Sequence, residues 1–517
     1  MSDHFQSLGK FTQADVIVAT PNSLHPLCRR KYLLAHMAVQ PQHTYKRRHP
    51  EESLLYKTIA GHLHTFIATL AAEGRSLPTH VEKELRAYLE CGVLAYGFIR
   101  IKCKDCKVEQ LVAFSCKKRG FCPSCGGKKM AELATHLIDN MIPRVPIRQY
   151  VLSVPPPLRY WLASNKVLMK EVHKTLSDTV EDFYCEGKDK KTRSGAITFI
   201  QRFGGAINLN VHFHMLQVEG MYQEKSTGHH KFIKTPSPLG DDIKKLVEII
   251  RDKIIQLLIK TGYISEYEEE VITPQDPLLE EEPVYAESMS ASVKYMIAFG
   301  KRRGQRVRFD YRRDICPRRS SGGSLSAYVD GFSLHAGVNI RSHRRDALEK
   351  LIGYVARPSL SVKRLSETDK GDIKYKFKKM WSDGRTHVIL SPHELIEKLC
   401  ALVPLPYVHL VRYSGVFAPH AKMRKGVIPG FTRAEIKAQK DAKKEGTTSL
   451  QNKSSWAKLL ARVFEIDISK CLRCGGEMKF ITAVRDLVVI EKILAHCGLM
   501  PRPPPVAIAS SQEIFAS

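Results

Sequence analysis

The sequence has no run of about eighteen apolar residues, the length a membrane-spanning helix needs, so nothing in it reads as a bilayer span. It opens "MSDHFQSLGK", without a basic region leading into an apolar stretch, and this argues against a secreted protein. Acidic residues are scarce: 53 Asp and Glu stand against 81 Lys and Arg, a net charge of +28. That imbalance points to a polyanionic partner, of which nucleic acid is the commonest. Internal repeats are missing too, apart from a recurring CxxCGG. The thirteen cysteines are an odd number, six of them in CxxC pairs. With no secretory leader, that usage indicates reduced thiols and metal ligands rather than disulfides.

Apolar residues make up 43% of the 517, ample for real cores, and the length predicts about three domains. The reading is α+β. A basic polar extension covers 1–50, with Arg29, Arg30, Lys31, Lys46, Arg47 and Arg48. A helical zinc-binding, DNA-binding module is expected over 51–142. Within it, "SLLYKTIAGHLHTFIATLAAEG" and "PTHVEKELRAYLECG" each end at a Gly able to take the left-handed cap. A catalytic domain follows over 143–365, with an acidic insertion at about 264–290. In it, "IRQYVLSVPP", "GAITFIQRF" and "NLNVHFHMLQVEGMY" read as strands, Leu158–Tyr184 as one long helix, and "DDIKKLVEIIRDKIIQLLIKTG" as an amphipathic helix. Two strands are expected in "GSLSAYVDGFSLHAGVNI" and a helix near 344–356. The remainder divides into 366–435, a polar linker at 436–454 and a C-terminal segment over 455–517 that carries the last Cys pair.

"CKDC" and "CPSC" lie fifteen residues apart, a spacing read as a four-cysteine zinc site. Cys103, Cys106, Cys122 and Cys125 would then complete a closed, structural tetrahedron. Gly126 and Gly127 would let the backbone turn tightly there. Cys116, inside the loop, reads as a small buried residue, with replacement of one ligand as the alternative. Lys117, Lys118, Arg119, Lys128 and Lys129 would face phosphates or merely solvate the loop. Cys471 and Cys474 read either as half of a second zinc site, with the adjacent His496 and Cys497 and the distant Cys400 as the remaining donors in sight, or as a vestigial or structural turn.

His212 and His214 are two residues apart on a strand, so both imidazoles leave one face, within reach of one divalent ion. Asn210 shares that face. Gln217 and Glu219 have the opposite parity and point away unless a bulge intervenes. A divalent ion can polarise a phosphoryl oxygen for in-line attack. The attacker is sought in "RRDALEKLIGYVARPSLS", where Leu348, Leu351, Ile352 and Val355 form a buried stripe and Tyr354 stands at its edge between Lys350 and Arg357. Tyrosine serves as a covalent nucleophile when cations or a metal favour its phenolate.

"INLNVHFHMLQVEG", "LEKLIGYVARPSL" and "SCKKRGFCPSC", together with "RQYVLSVPPPLR", "GFSLHAGVNI", "WSDGRTH", "ELIEKLCALVP" and "YSGVFAPHAKMR", resemble the rolling-circle transposases of the insertion-sequence ninety-one family, within the HUH endonuclease superfamily. The resemblance runs from about Glu82 to Pro505. It implies a central antiparallel sheet with flanking helices. It also implies cleavage of single-stranded DNA through a 5′-phosphotyrosine and a free 3′-hydroxyl. His212 and His214 become ligands of a catalytic Mg²⁺ or Mn²⁺, Tyr354 the nucleophile, and Cys103, Cys106, Cys122 and Cys125 the structural zinc ligands. The implied setting is the bacterial cytoplasm and its nucleoid. Pro358 stands where some members carry a second tyrosine, which favours the single-tyrosine branch, and Glu219 stands where Asp is expected. The other readings are a plasmid replication initiator or relaxase with the same chemistry, and a non-catalytic zinc protein that binds DNA.

Overall fold

The computed structural model describes residues 48–188, 191–224, 230–265, 276–312, 325–429, 471 and 473–510. The 436–454 linker, most of the 1–50 extension and part of the acidic insertion lie outside these residues.

Helices α1 (Leu54–Ala72) and α2 (Thr79–Glu90) open the described chain. Ser53 caps α1, its hydroxyl accepting the Tyr56 N–H. Beyond the two helices, Gly74 and Gly92 take the expected positive φ. A hairpin of β1 (Phe98–Cys103) and β2 (Glu109–Ala113) follows, then α3 (Pro123–His136). The main sheet draws on β3 (Ile147–Ser153), β5 (Gly195–Phe203) and β6 (Leu209–Val218). Between β3 and β5 come α4 (Pro156–Ser164), α5 (Lys166–Cys185) and the short β4 (Thr192–Arg193). The single helix expected over Leu158–Tyr184 is thus two. Asn165 breaks it, taking an extended conformation so that its side chain can accept the Val167 and Leu168 N–H groups.

Next are β7 (Gly220–Glu224), β8 (His230–Lys234), α6 (Gly240–Lys260), α7 (Pro277–Glu281), α8 (Pro283–Val293) and β9 (Arg308–Tyr311). Strands β10 (Ser326–Val329) and β11 (Phe332–Ile340) lead to α9 (Arg345–Val355), which carries Tyr354. The chain continues through β12 (Leu365–Glu367), β13 (Ile373–Lys376), β14 (Arg385–Leu390), α10 (Pro392–Leu402), β15 (Val411–Gly415) and α11 (Arg424–Val427). The C-terminal segment adds β16 (Met478–Val484) and α12 (Leu487–His496).

The main sheet has the order β10-β11-β3-β6-β5-β15, antiparallel throughout. Its period-2 alternation divides two cores. On one face, Tyr150, Leu152, Val211, Phe213 and Met215 join the large core with α4, α5, α6 and α8. On the other, Phe199, Leu216 and Val218 pack with Leu348, Ile352 and Val355 of α9 and with Ala134 of α3. The second face also carries the two histidines, so the stripe that buries α9 brings Tyr354 toward them. No described helix is long and apolar enough to cross a membrane.

Candidate functional site

In register, His212 lies opposite Ser153 on β3 and Gln201 on β5, and His214 opposite Val151 and Phe199. Both imidazoles leave the same face of this central strand, and their ring centroids are 4.9 Å apart. The His214 ring meets the Tyr354 ring edge to face, with centroids at 6.1 Å. Tyr354 is 42% exposed at the rim of α9. Its ring is flanked by two cations: the Arg357 guanidinium at 5.0 Å and the Lys378 ammonium at 4.9 Å. Arg357 also covers Phe203. Lys350 is on the exposed side of the helix. Lys378 was invisible to the sequence reading because it lies in a loop far along the chain, after β13.

Burial pulls the pKa of His212 down to about 4, with Arg159 and Arg357 adding to it. Burial, then His212 and Arg357, pull His214 to about 3. Both rings are therefore neutral over the physiological range, as ligands must be. His212 Nδ1 lies 2.8 Å from the Asn210 carbonyl, so it carries the proton and donates. Its Nε2 lone pair is left free. The Gln149 side-chain amide lies 2.8 Å from His214 Nδ1. As placed, the amide nitrogen faces Nδ1 and donates to it; only with the amide turned over would its oxygen accept Nδ1–H and free Nε2. Asn210 Oδ1 is buried and has no hydrogen-bond partner among the described residues. Two residues before His212, it offers an oxygen on the histidine face. Glu219 does turn away: it is buried against Arg148, Ser237 and Asn339, which hold its carboxyl below the usual range despite burial. Gln217 is likewise occupied, with Ser194.

Gln201 ties the histidine strands to the tyrosine helix. Its side chain is buried and its Nε2 donates to the Val355 carbonyl at 2.6 Å and more weakly to that of Tyr354 at 3.5 Å. A cavity of about 360 Å³ opens beside this end of α9, lined by Arg119, Lys129, Gln201, Phe203, Arg357 and His409, among others.

The cysteines are arranged otherwise than their spacing suggests. Cys103, Cys106, Cys122 and Cys125 do not share one centre. Cys122 and Cys125 gather with Cys91 and Cys116, and Cys103 and Cys106 with Cys471 and Cys474. The β1–β2 hairpin carries the first pair to its tip, away from the α3 N-terminus where the second pair begins. The sulfur contacts in the Cys91 cluster are 3.4–3.7 Å. Tetrahedral zinc with Zn–S near 2.3 Å needs sulfurs about 3.8 Å apart, so the cluster fits that ion. Hydrogen bonds from Cys116, Cys122 and Cys91 hold the Cys125 thiol far down, while those with Cys116 and Cys125 push Cys122 far up. A cation among them would remove every such proton. Cys116 is therefore part of the cluster, and Cys91 was overlooked because it reads as the end of α2. His496, Cys497 and Cys400 stand outside both clusters.

Gly126 and Gly127 do not form a turn; they are within α3. A Cβ on Gly126 would lie 2.8 Å from the Pro358 side chain, so this glycine allows the zinc module to touch the segment just after Tyr354. Ser359 adds a hydrogen bond to the Gly120 carbonyl. Among the basic residues of the loop, Lys117 is exposed and Lys118 half-buried. Lys129 donates to the Lys117 and Lys118 carbonyls, Arg119 to that of Val408, and Lys128 pairs with Glu132.

Comparison with known families agrees with this layout. Residues 59–154 match the family model described as "Transposase zinc-binding domain", and residues 195–425 the one described as "Putative transposase". The two matches indicate a transposase with an N-terminal zinc-binding domain, which implies DNA as its partner. Over residues 59–154 the chain is similar to the zinc-binding domain of insertion-sequence ninety-one transposases. No curated protein and no solved structure matches it.

Proposed function

We propose that this transposase cuts and rejoins single-stranded DNA through a covalent link to Tyr354, the chemistry of rolling-circle transposition. The observation that carries the reading is the contact of Tyr354 with His214 beside His212, made by a helix and a strand more than a hundred residues apart. In the proposed step the Tyr354 oxygen attacks the scissile phosphorus and the P–O3′ bond breaks. The 3′-oxygen leaves with a proton, and the phosphate stays on the 5′ side, esterified to the tyrosine. Arg357 and Lys378, on the tyrosine ring, stand ready to pair with phosphate oxygens. His212 and His214, with Asn210 as the oxygen donor, would hold a Mg²⁺ or Mn²⁺ ion, which supplies charge stabilisation at the phosphoryl oxygens. Rejoining is the reverse step, with a 3′-hydroxyl attacking the phosphotyrosine. Pro358 in place of a second tyrosine leaves one covalent link per site.

The test is incubation with labelled single-stranded element ends and Mn²⁺. The expected product is a covalent protein–DNA band that Tyr354→Phe abolishes while DNA binding persists. An adduct at normal yield in that variant would refute the assignment, and Tyr328 or Tyr375 would then be examined.

A further inference from the structure

Cys103, Cys106, Cys471 and Cys474 come from opposite ends of the described chain, and only one of these pairs falls within the matched zinc-binding domain. Their sulfurs all lie within 4.8 Å of one another. Cys103 and Cys474 approach to 3.5 Å, Cys106 and Cys471 to 3.4 Å. These distances are far beyond the roughly 2.05 Å of a disulfide and close to the sulfur spacing of a tetrahedral tetrathiolate.

The two CxxC turns share three backbone features. The N–H of the first cysteine donates to the carbonyl five residues on: Cys103 to Val108 at 2.9 Å, and Cys471 to Gly476 at 2.7 Å. The residue four positions on takes a left-handed conformation, Lys107 with φ 61° and Gly475 with φ 75°. The N–H two positions on reaches the first sulfur at 3.4 Å, from Asp105 to Cys103 and from Arg473 to Cys471. Lys107 thus takes, without being a glycine, the conformation that Gly475 takes at the matching position of the other turn.

We propose that these four cysteines bind a second zinc ion, separate from the one held by Cys91, Cys116, Cys122 and Cys125, and that it clasps the C-terminal segment onto the zinc-binding domain. The clasp sits at one end of the three-stranded sheet β16-β1-β2, where β16 pairs with β1 from Phe98↔Val484 to Cys103↔Met478. The Lys104 N–H donates to the Glu477 carbonyl, and Gly476 passes so close to Asp105 that a Cβ there would collide with its carboxylate. Four thiolates around one Zn²⁺ carry two net negative charges; the turns themselves carry three cations, Lys104, Lys107 and Arg473, and one carboxylate, Asp105. The centre has no open position, so its role is structural.

The experiment is metal analysis of the full chain purified under reducing conditions. Two zinc ions per chain are expected, and one in the double variant Cys471→Ser/Cys474→Ser. In that variant hydrogen exchange should rise in residues 98–103 and stay unchanged in residues 123–136, where the other centre begins. If the double variant does not fold, cobalt loading of the wild type decides. Two tetrahedral tetrathiolate centres per chain support the clasp, and one refutes it. A single zinc in the wild type, two retained in the folded double variant, or a Cys103–Cys474 or Cys106–Cys471 disulfide found by mass spectrometry would each overturn it.

Discussion

Gln201 is the most economical place to test whether the histidine strand and the tyrosine helix act as one unit. It is buried on β5 directly opposite His212, and its amide nitrogen donates to the Val355 carbonyl at 2.6 Å. Val355 is the last residue of α9, so this carbonyl has no partner within the helix. Gln201→Leu keeps the volume and removes the donor. The lost bond is worth about 1 kcal/mol, and the stranded buried carbonyl costs roughly 1–3 kcal/mol. Tyr354 is one residue away, so the helix end relieves that cost by shifting, which moves the phenol relative to His214. If the cost falls on the reactive geometry, adduct formation slows by about 5- to 100-fold. The assay is the single-turnover rate of the covalent band with Mn²⁺ and a single-stranded end, with DNA affinity measured alongside. Affinity should change little, because Gln201 touches neither open cation. A folded Gln201→Leu protein that forms the adduct within twofold of the wild-type rate would refute the coupling of strand and helix.

The histidines give a pH signature. Burial sets His212 near 4 and His214 near 3, so protons compete for a bound Mn²⁺ only as pH falls toward those values. Mn²⁺ affinity, followed by calorimetry, should stay flat from about pH 8 to about pH 5 and drop below; a loss centred near 6.5, the ordinary imidazole value, would contradict the burial argument. Stability moves over a different window. The unfolded chain takes up protons near 6.5 while the buried rings do not, so this contribution is complete above 6.5 and is lost as pH falls through about 4, visible in melting temperature. Gly126→Ala places a methyl 2.8 Å from Pro358. Overpacking of this kind costs about 1–3 kcal/mol, and the strain should slow the adduct while zinc content is kept. Unchanged melting and rate would mean that the zinc module and the tyrosine segment are not rigidly joined.

What the sequence disclosed was local. The alternation around His212 and His214 and the stripe of Leu348, Ile352 and Val355 each follow from the period of one element, and packing stripe against strand face carries Tyr354 to His214. The α+β layout and the strand-borne histidine pair were readable for that reason. The cysteines were not, because ligand grouping is a tertiary property. A fifteen-residue gap between two CxxC pairs permits a shared tetrahedron but does not require one. Here β1 prefers β16 as a neighbour, and that pairing hands Cys103 and Cys106 to Cys471 and Cys474. Cys122 and Cys125 then need two more ligands, and Cys91 and Cys116 supply them. A bookkeeping signal was present: three CxxC pairs with Cys91 and Cys116 make two complete sets of four. The same logic explains Gly126. Read along the chain it looks like a turn residue after a Cys pair, yet its lack of a side chain serves Pro358, more than two hundred residues on. The zinc module and the tyrosine helix are thus in direct contact, so a change that loosens the cysteine cluster should be felt at Tyr354 before it is felt in the sheet.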